Sequence, residues 1–253
     1  MPDKSLGQHW LKDRTVLESI ADMADIDSGG TVLEIGPGLG TLTSVLLGKA
    51  GRVVAVEFDA ELAAKLPGQF PGKNLEVINQ DVLRFDLSSL PTGYTVVANL
   101  PYYITSRIIR YLSESANPPR LAVLLVQREV AERLAAQPGD MSLLTVATQV
   151  YAEVVLGPVV GAELFTPPPK VDSQVVVLRY RGRSLLDKAD DKRFFQLVKA
   201  GFAARRKKLR SSLSGGLRLE KAEVEQLLDR AGIDPNVRAQ DLSIDEWLRL
   251  ARL

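Results

Sequence analysis

A doubly wound α/β sheet followed by a small helical domain is the fold this sequence predicts, and three observations predict it. Short, almost wholly apolar β-branched runs recur through the first two-thirds of the chain, as strands covered on both faces require. Amphipathic stretches lie between them, and strand–helix alternation selects a parallel sheet. From about Asp190 onward the strand pattern stops and runs of helical character replace it.

The strands read as Thr31–Ile35, Arg52–Glu57, Leu75–Asn79, Tyr94–Asn99 and Leu121–Gln127. Helices are expected between them at Thr41–Lys49, Asp59–Leu66 and Thr105–Glu114, and after them at Arg128–Ala136. Tyr151–Gly157 and Ser173–Tyr180 complete the sheet as two strands joined by a loop. A boundary is placed within Arg183–Ala189, giving a sheet domain over 1–183 and a helical domain over 184–253. The helical candidates there are "RFFQLVKAGFAARRKKLRSSL", "EKAEVEQLLDRAG" and "SIDEWLRLARL".

Composition excludes several chemistries. Among 253 residues there is no Cys and one His, His9. Disulfides, thiolate nucleophiles, His-based triads and multi-His metal sites are therefore set aside. With 45% hydrophobic and 25% charged residues the chain reads as a soluble globular protein. The start, "MPDKSLGQHWLKDR", is not a signal peptide, and no apolar run approaches a membrane span. A cytoplasmic monomer with no metal and no membrane partner is expected. The net charge of +1 announces no nucleic-acid partner by itself.

"EIGPGLGTLT" (Glu34–Thr43) lies where the first strand turns into a helix. Gly36, Gly38 and Gly40 suit a tight turn and close backbone approach to a nucleotide-like ligand, or a plain tight turn. The spacing is neither the G-x-G-x-x-G of dinucleotide enzymes nor a P-loop. Glu57 ends the next strand at about the ~20-residue spacing at which an acid meets ribose hydroxyls. Asp81, in "NQDVL", closes the third strand, where a carboxylate can accept from an adenine amine. Each acid alone is equally an ordinary solvated strand-end carboxylate. Glycines, Glu57, Asp81 and Asn99 together end four successive strands at one sheet edge, where ligands bind. The combination points to an adenosine cofactor without a diphosphate, S-adenosylmethionine.

"NLPYYI" (Asn99–Ile104) runs directly out of a buried strand. As six residues it is either an ordinary turn or a platform for a flat heteroaromatic ring. An adenine amine is a poor nucleophile, because its lone pair is delocalised into the ring, and it must rehybridise to attack a sulfonium methyl. The Asn99 side-chain oxygen and the Leu100 carbonyl can accept from its hydrogens and favour that shape. Pro101 would fix the turn and Tyr102 would stack on the base. Orientation and aimed dipoles then carry the rate, with no charged base.

"SLGQHWL", "EIGPGLGTLT", "VEFD", "QDVL", "NLPYYI", "QREVAERL" and "FTPPPKVDS" occur in the order seen in KsgA-type ribosomal RNA adenine dimethyltransferases, and from Lys4 to Tyr180 the chain resembles that family. The resemblance implies a class I Rossmann-like methyltransferase sheet with a small helical C-terminal domain. It implies transfer of four methyl groups to two adjacent adenines near the 3′ end of small-subunit rRNA, in a pre-ribosomal particle. It also implies cofactor contacts at His9 and Leu11, Gly36 under the methionine moiety, Glu57 on the ribose, Asp81 on the adenine and Asn99 at the transfer site. Phe165 would close over the target base. Trp10 stands where the family usually has Phe.

"KAGFAARRKKLRSSL" carries Lys199, Arg205, Arg206, Lys207, Lys208 and Arg210 and no acid. Alone it reads as a solvated helix face. Beside an adenine-acceptor site it reads as a phosphate-binding patch, with Tyr102, Tyr103 and Phe165 as aromatics for splayed bases. Two alternatives share these residues: a large-subunit rRNA adenine methyltransferase of the antibiotic-resistance type, and an assembly factor whose binding outweighs its catalysis.

Overall fold

Apolar β-branched runs form parallel strands when helices cover both faces, and this arrangement dominates the first part of the chain. The structure is a computed structural model and describes residues 9–182, 185–186 and 190–253. In chain order the elements are β1 (Trp10–Leu11), α1 (Arg14–Met23), β2 (Thr31–Ile35), α2 (Thr41–Leu46), β3 (Arg52–Glu57), α3 (Ala60–Gln69), β4 (Leu75–Asn79), β5 (Thr95–Asn99) and α4 (Thr105–Ser113). They continue with β6 (Leu121–Gln127), α5 (Arg128–Leu134), α6 (Leu143–Gln149), β7 (Ala152–Val160), β8 (Phe165–Thr166) and β9 (Ser173–Tyr180). Helices α7 (Asp191–Phe202), α8 (Leu209–Leu217), α9 (Lys221–Arg230) and α10 (Ile244–Ala251) follow.

Two compact units result: Met1–Ala131 with Glu153–Tyr180, and Glu132–Ala152 with Arg181–Leu253. The expected boundary between 183 and 184 falls outside the described residues, as does the "SLGQ" part of the N-terminal motif. Residues 132–152, expected in the sheet domain, pack in the second unit. The reason is local: α6 turns Val146 toward the apolar cluster of Phe194, Leu197 and Val198.

The first unit holds a seven-stranded sheet in the order β4-β3-β2-β5-β6-β9-β7. From β4 to β6 the pairing is parallel, and β9 joins β6 antiparallel. The chain steps outward from β2 to β3 and β4, then returns past β2 to β5 and β6. The order therefore reverses between β2 and β5, where sheets of this kind bind ligands. Helices α1 and α2 press Leu17, Ile20, Leu42, Val45 and Leu46 against the sheet. Each such side chain contributes about 1.5–3 kcal/mol on burial. Helix α1 was not anticipated; Asp13 caps it, its carboxylate accepting from the Val16 N–H at 2.9 Å.

In the second unit, Phe194, Leu209, Leu213, Val224, Leu228 and Trp247 build a separate apolar core. Capping boxes start α6 at Ser142 and α10 at Ser243. The long helix expected across the basic run is in fact two helices: α7 ends at Phe202 and α8 begins at Leu209. Four successive cations, Arg205 to Lys208, would crowd one helical turn. They sit instead in a connection closed by the Lys207 N–H on Ala204 O (2.8 Å) and the Ser212 hydroxyl on the same carbonyl (3.3 Å).

Candidate active site

A cavity of about 220 Å³ opens at the carboxyl ends of β2, β3, β4 and β5. His9, Gly36, Gly38, Glu57, Asp81, Asn99, Leu100, Pro101 and Tyr102 all line it. With Tyr103, ten of the residues singled out from sequence thus converge on one space, although they come from five separate stretches of chain.

The glycine loop is shaped by its own backbone. Gly36 donates to Val56 O at 2.9 Å, carrying the β2–β3 ladder one residue past the strand, and Gly40 donates to Pro37 O at 2.9 Å. Glu57, only 6% exposed, faces this loop. Its Oε2 accepts from the Gly38 N–H at 3.0 Å and its Oε1 from the Asp59 N–H at 2.9 Å. Two backbone donors therefore fix the carboxylate, and each oxygen keeps a lone pair for a hydroxyl donor. Asp81 is held similarly: Oδ1 takes the Leu83 N–H at 3.0 Å, leaving Oδ2 for a ligand.

Directly below the loop, Glu34 is 1% exposed, and among the described residues its Oε2 has no partner. Burial pushes its carboxyl up to about 8; Thr43 draws it partly back, and the Glu57 charge raises it further. Burial thus holds Glu34 toward its neutral acid form, close to the Glu57 carboxylate that faces the loop.

The turn after β5 is locked at several points. Leu100 donates to Leu125 O at 3.1 Å, and Pro101 O accepts from the Ile104 N–H and the Thr105 hydroxyl, both at 3.2 Å. The Asn99 Nδ2 donates to the His9 carbonyl at 2.9 Å. A carbonyl only accepts, so this contact fixes the amide flip and frees Oδ1 as an acceptor. His9 is placed in turn by its Nδ1–H on Pro167 O (2.7 Å) and by stacking on Tyr102, ring centroids 5.7 Å apart. The Tyr102 hydroxyl meets Ser173 Oγ at 2.8 Å.

Two expected site residues do not line the cavity. Leu11 and Phe165 face each other across the β1–β8 pair and are buried in the apolar core, Phe165 at 3% exposure. Strand side chains alternate faces, so pairing with Leu11 turns Phe165 inward and leaves Thr166 outward. Phe165, expected to close over a base, packs here beside Leu11 and anchors the strand that holds His9 and Trp10 at the cavity. Sequence reasoning assigned no site role to Trp10, Phe58 and Arg107, which also line the cavity. Trp10 packs on the glycine loop, since a methyl added at Gly38 would lie 3.2 Å from its Nε1. Phe58, between Glu57 and Asp59, was the most legible of the three.

The basic residues divide. Lys208 donates to Asn236 Oδ1 at 2.9 Å, and Arg210 pairs with Glu225 at 2.7 Å. Among the described residues Arg205, Arg206 and Lys207 are exposed and have no ion pair. No cluster of metal-ligating side chains occurs among the described residues, and no helix there is long and apolar enough to cross a membrane.

The profile of one protein family, described as "Ribosomal RNA adenine dimethylase", matches residues 2–253. The chain is 42% identical over 251 residues to ribosomal RNA small subunit methyltransferase A of Dehalococcoides mccartyi, covering 98% of this chain and 86% of that protein. It is 44% identical over 249 residues to the protein of the same name from Desulfitobacterium hafniense, covering 96% and 89%. Among solved structures, a dimethyladenosine transferase from Plasmodium falciparum superposes with a TM-score of 0.83 at 28% identity, over 96% of each chain. The 23S rRNA methyltransferase ErmE superposes with a TM-score of 0.78 at 33% identity, over 96% of this chain and 98% of that one.

Proposed function

The chain belongs to the ribosomal RNA adenine dimethylase family, and from that premise we propose that it methylates N6 of two adjacent adenines near the 3′ end of small-subunit rRNA. The product is dimethyladenine, made on a pre-ribosomal particle in the cytoplasm by a monomer. The identities of 42% and 44% to small-subunit methyltransferases, over nearly the full chain, support that choice of substrate.

The cavity fits the cofactor. Gly36 offers backbone with no side chain in the way, the two Glu57 oxygens suit the two hydroxyls of a ribose, and Asp81 Oδ2 suits the adenine amine. When bound, S-adenosylmethionine supplies a methyl group on a sulfonium. The chain's own work falls on the acceptor. Asn99 Oδ1 and the Leu100 carbonyl accept from the N6 hydrogens and draw the amine toward tetrahedral geometry, so its lone pair can point at the methyl. Positive charge then grows on N6, where the same two dipoles stabilise it. Water takes the released proton, and no charged base is needed. His9 and Tyr102 hold the acceptor turn, and Leu11 and Phe165 hold His9 in place.

One observation carries this reading: the His9 carbonyl engages the Asn99 NH₂, so the amide oxygen is the atom left for the ligand. The test is to map methylated adenines in both rRNAs of cells with and without this protein. Loss of dimethyladenine from the small subunit alone supports the reading. Likeness to ErmE favours a second reading, a large-subunit target; loss of methylation there instead would select it.

A further inference from the structure

The two tyrosines of "NLPYYI" are not equivalent. Tyr102 is already engaged, by its hydroxyl to Ser173 and its ring to His9. Tyr103 lines the same cavity yet is 63% exposed, and among the described residues its hydroxyl has no partner. The turn closed by the Ile104 N–H on Pro101 O puts Tyr103 at its apex. Four residues on, Arg107 also lines the cavity and is exposed. Helix α4 buries Ile108, Ile109 and Leu112, while Arg110 pairs with Glu114; among the described residues Arg107 has no ion pair. An unpaired cation and an uncovered aromatic ring thus line the same cavity as Asn99.

We infer that Tyr103 and Arg107 form a nucleotide-binding ledge at the cavity mouth. Tyr103 stacks on the RNA base next to the adenine being methylated, and Arg107 pairs with the phosphate joining the two. This rests on the reading that an RNA adenine enters the cavity. A base turned out of its strand leaves its neighbour unstacked. An aromatic face replaces the lost stacking without regard to base identity, and a guanidinium suits a phosphate in fork geometry. The ledge thereby fixes the strand on one side of the target, which limits how far the target can slide from Asn99.

The test is steady-state methylation of under-methylated small ribosomal subunits with S-adenosylmethionine. Tyr103→Ala is expected to raise KM for the subunit by roughly 5- to 150-fold, the scale of one base–aromatic stack. Its kcat stays close to wild type, since stacking is the same in ground and transition states. Tyr103→Phe keeps the ring and retains the wild-type KM. Arg107→Gln raises KM and lowers the log–log salt slope of binding by about one contact. In a second readout, 2-aminopurine next to the target adenine in an RNA fragment is quenched on binding wild type or Tyr103→Phe, and not on binding Tyr103→Ala. An unchanged KM and unchanged quenching in Tyr103→Ala, with active wild type, overturn the ledge alone. A wild-type protein that methylates neither ribosomal subunit overturns the functional reading and the ledge with it.

Discussion

Replacing Gly36 or Gly40 by Ala separates ligand binding from folding within one loop. Both glycines have positive φ, +67° and +79°, so either methyl brings left-handed strain of about 1–2 kcal/mol. Beyond that the two sites differ. A methyl built on Gly36 meets no protein atom within 4 Å, and Gly36 lines the cavity. A methyl on Gly40 lies 2.7 Å from Leu66 Cδ1 and 3.0 Å from Phe70 Cε2. Leu66 is fully buried and cannot swing away, so overpacking adds about 1–3 kcal/mol. Gly40→Ala should therefore lose about 2–5 kcal/mol of stability, and Gly36→Ala only about 1–2. Affinity runs the other way. The Gly36 methyl occupies space proposed for the methionine moiety and should weaken S-adenosylmethionine by roughly 5- to 150-fold, about 1–3 kcal/mol. Folded Gly40→Ala should bind near the wild-type level. Scanning calorimetry reads the first pair and titration calorimetry the second. Wild-type affinity in Gly36→Ala would refute the placement of the cofactor over this loop. Equal stability of the two variants would refute the packing argument.

Asn99→Ala should leave cofactor affinity nearly unchanged while single-turnover methylation falls at least ~10²-fold, the scale for one preorganised polar group; a change of only a few-fold would remove Asn99 from the acceptor role. Replacing Arg205, Arg206 and Lys207 by Gln should flatten the salt dependence of RNA binding by roughly 0.7–0.9 in log–log slope per lost phosphate contact. Arg210→Gln, already paired with Glu225, should change it less, and a slope unaffected by the triple variant returns the cluster to a solvated surface. Glu34 has its folded pKa raised to about 8 from 4.5, so between those values the folded state holds a proton that the unfolded chain has released. Stability should fall as pH rises through that window; Glu34→Gln should flatten the fall, and identical pH profiles in chemical denaturation would show that Glu34 is ionised in the fold.

The sheet was legible because its central strands leave nearly continuous apolar runs, the antiparallel β9 included, and β2, β3, β4, β6 and β9 have the expected bounds. Helix α6 was not: "LLTVATQ" is short and rich in β-branched residues, and its start depends on the Ser142–Thr145 cap. The break between α7 and α8 did leave a trace. Apolar residues recur at Phe194, Leu197, Val198 and Phe202, and the next turn brings Arg205 and Arg206 where the stripe needs apolar side chains. The cluster of cations occupies the positions at which the apolar period lapses. The burial of Phe165 was illegible for a different reason. Which way a two-residue strand faces depends on its register with β1, a pairing between distant parts of the chain that no local pattern records.

The site itself was more legible than its wiring. Strand-end residues announce themselves because the strands do, so Glu57, Asp81 and Asn99 could be placed at one edge from sequence alone. What orients them could not. Glu57 is aimed by the N–H groups of Gly38 and Asp59, and Asn99 by a carbonyl ninety positions earlier in the chain. His9 illustrates the difference. Its side chain, the expected ligand contact, is held by Pro167 and Tyr102, while its backbone oxygen sets the Asn99 amide. Side-chain replacement at His9 therefore acts on Asn99 indirectly, through the position of that carbonyl. Pro167 follows β8 directly, so the β1–β8 pair transmits the packing of Leu11 and Phe165 to the acceptor turn. An apolar core residue outside the cavity lining is thereby linked, through Pro167 and His9, to the orientation of the Asn99 amide.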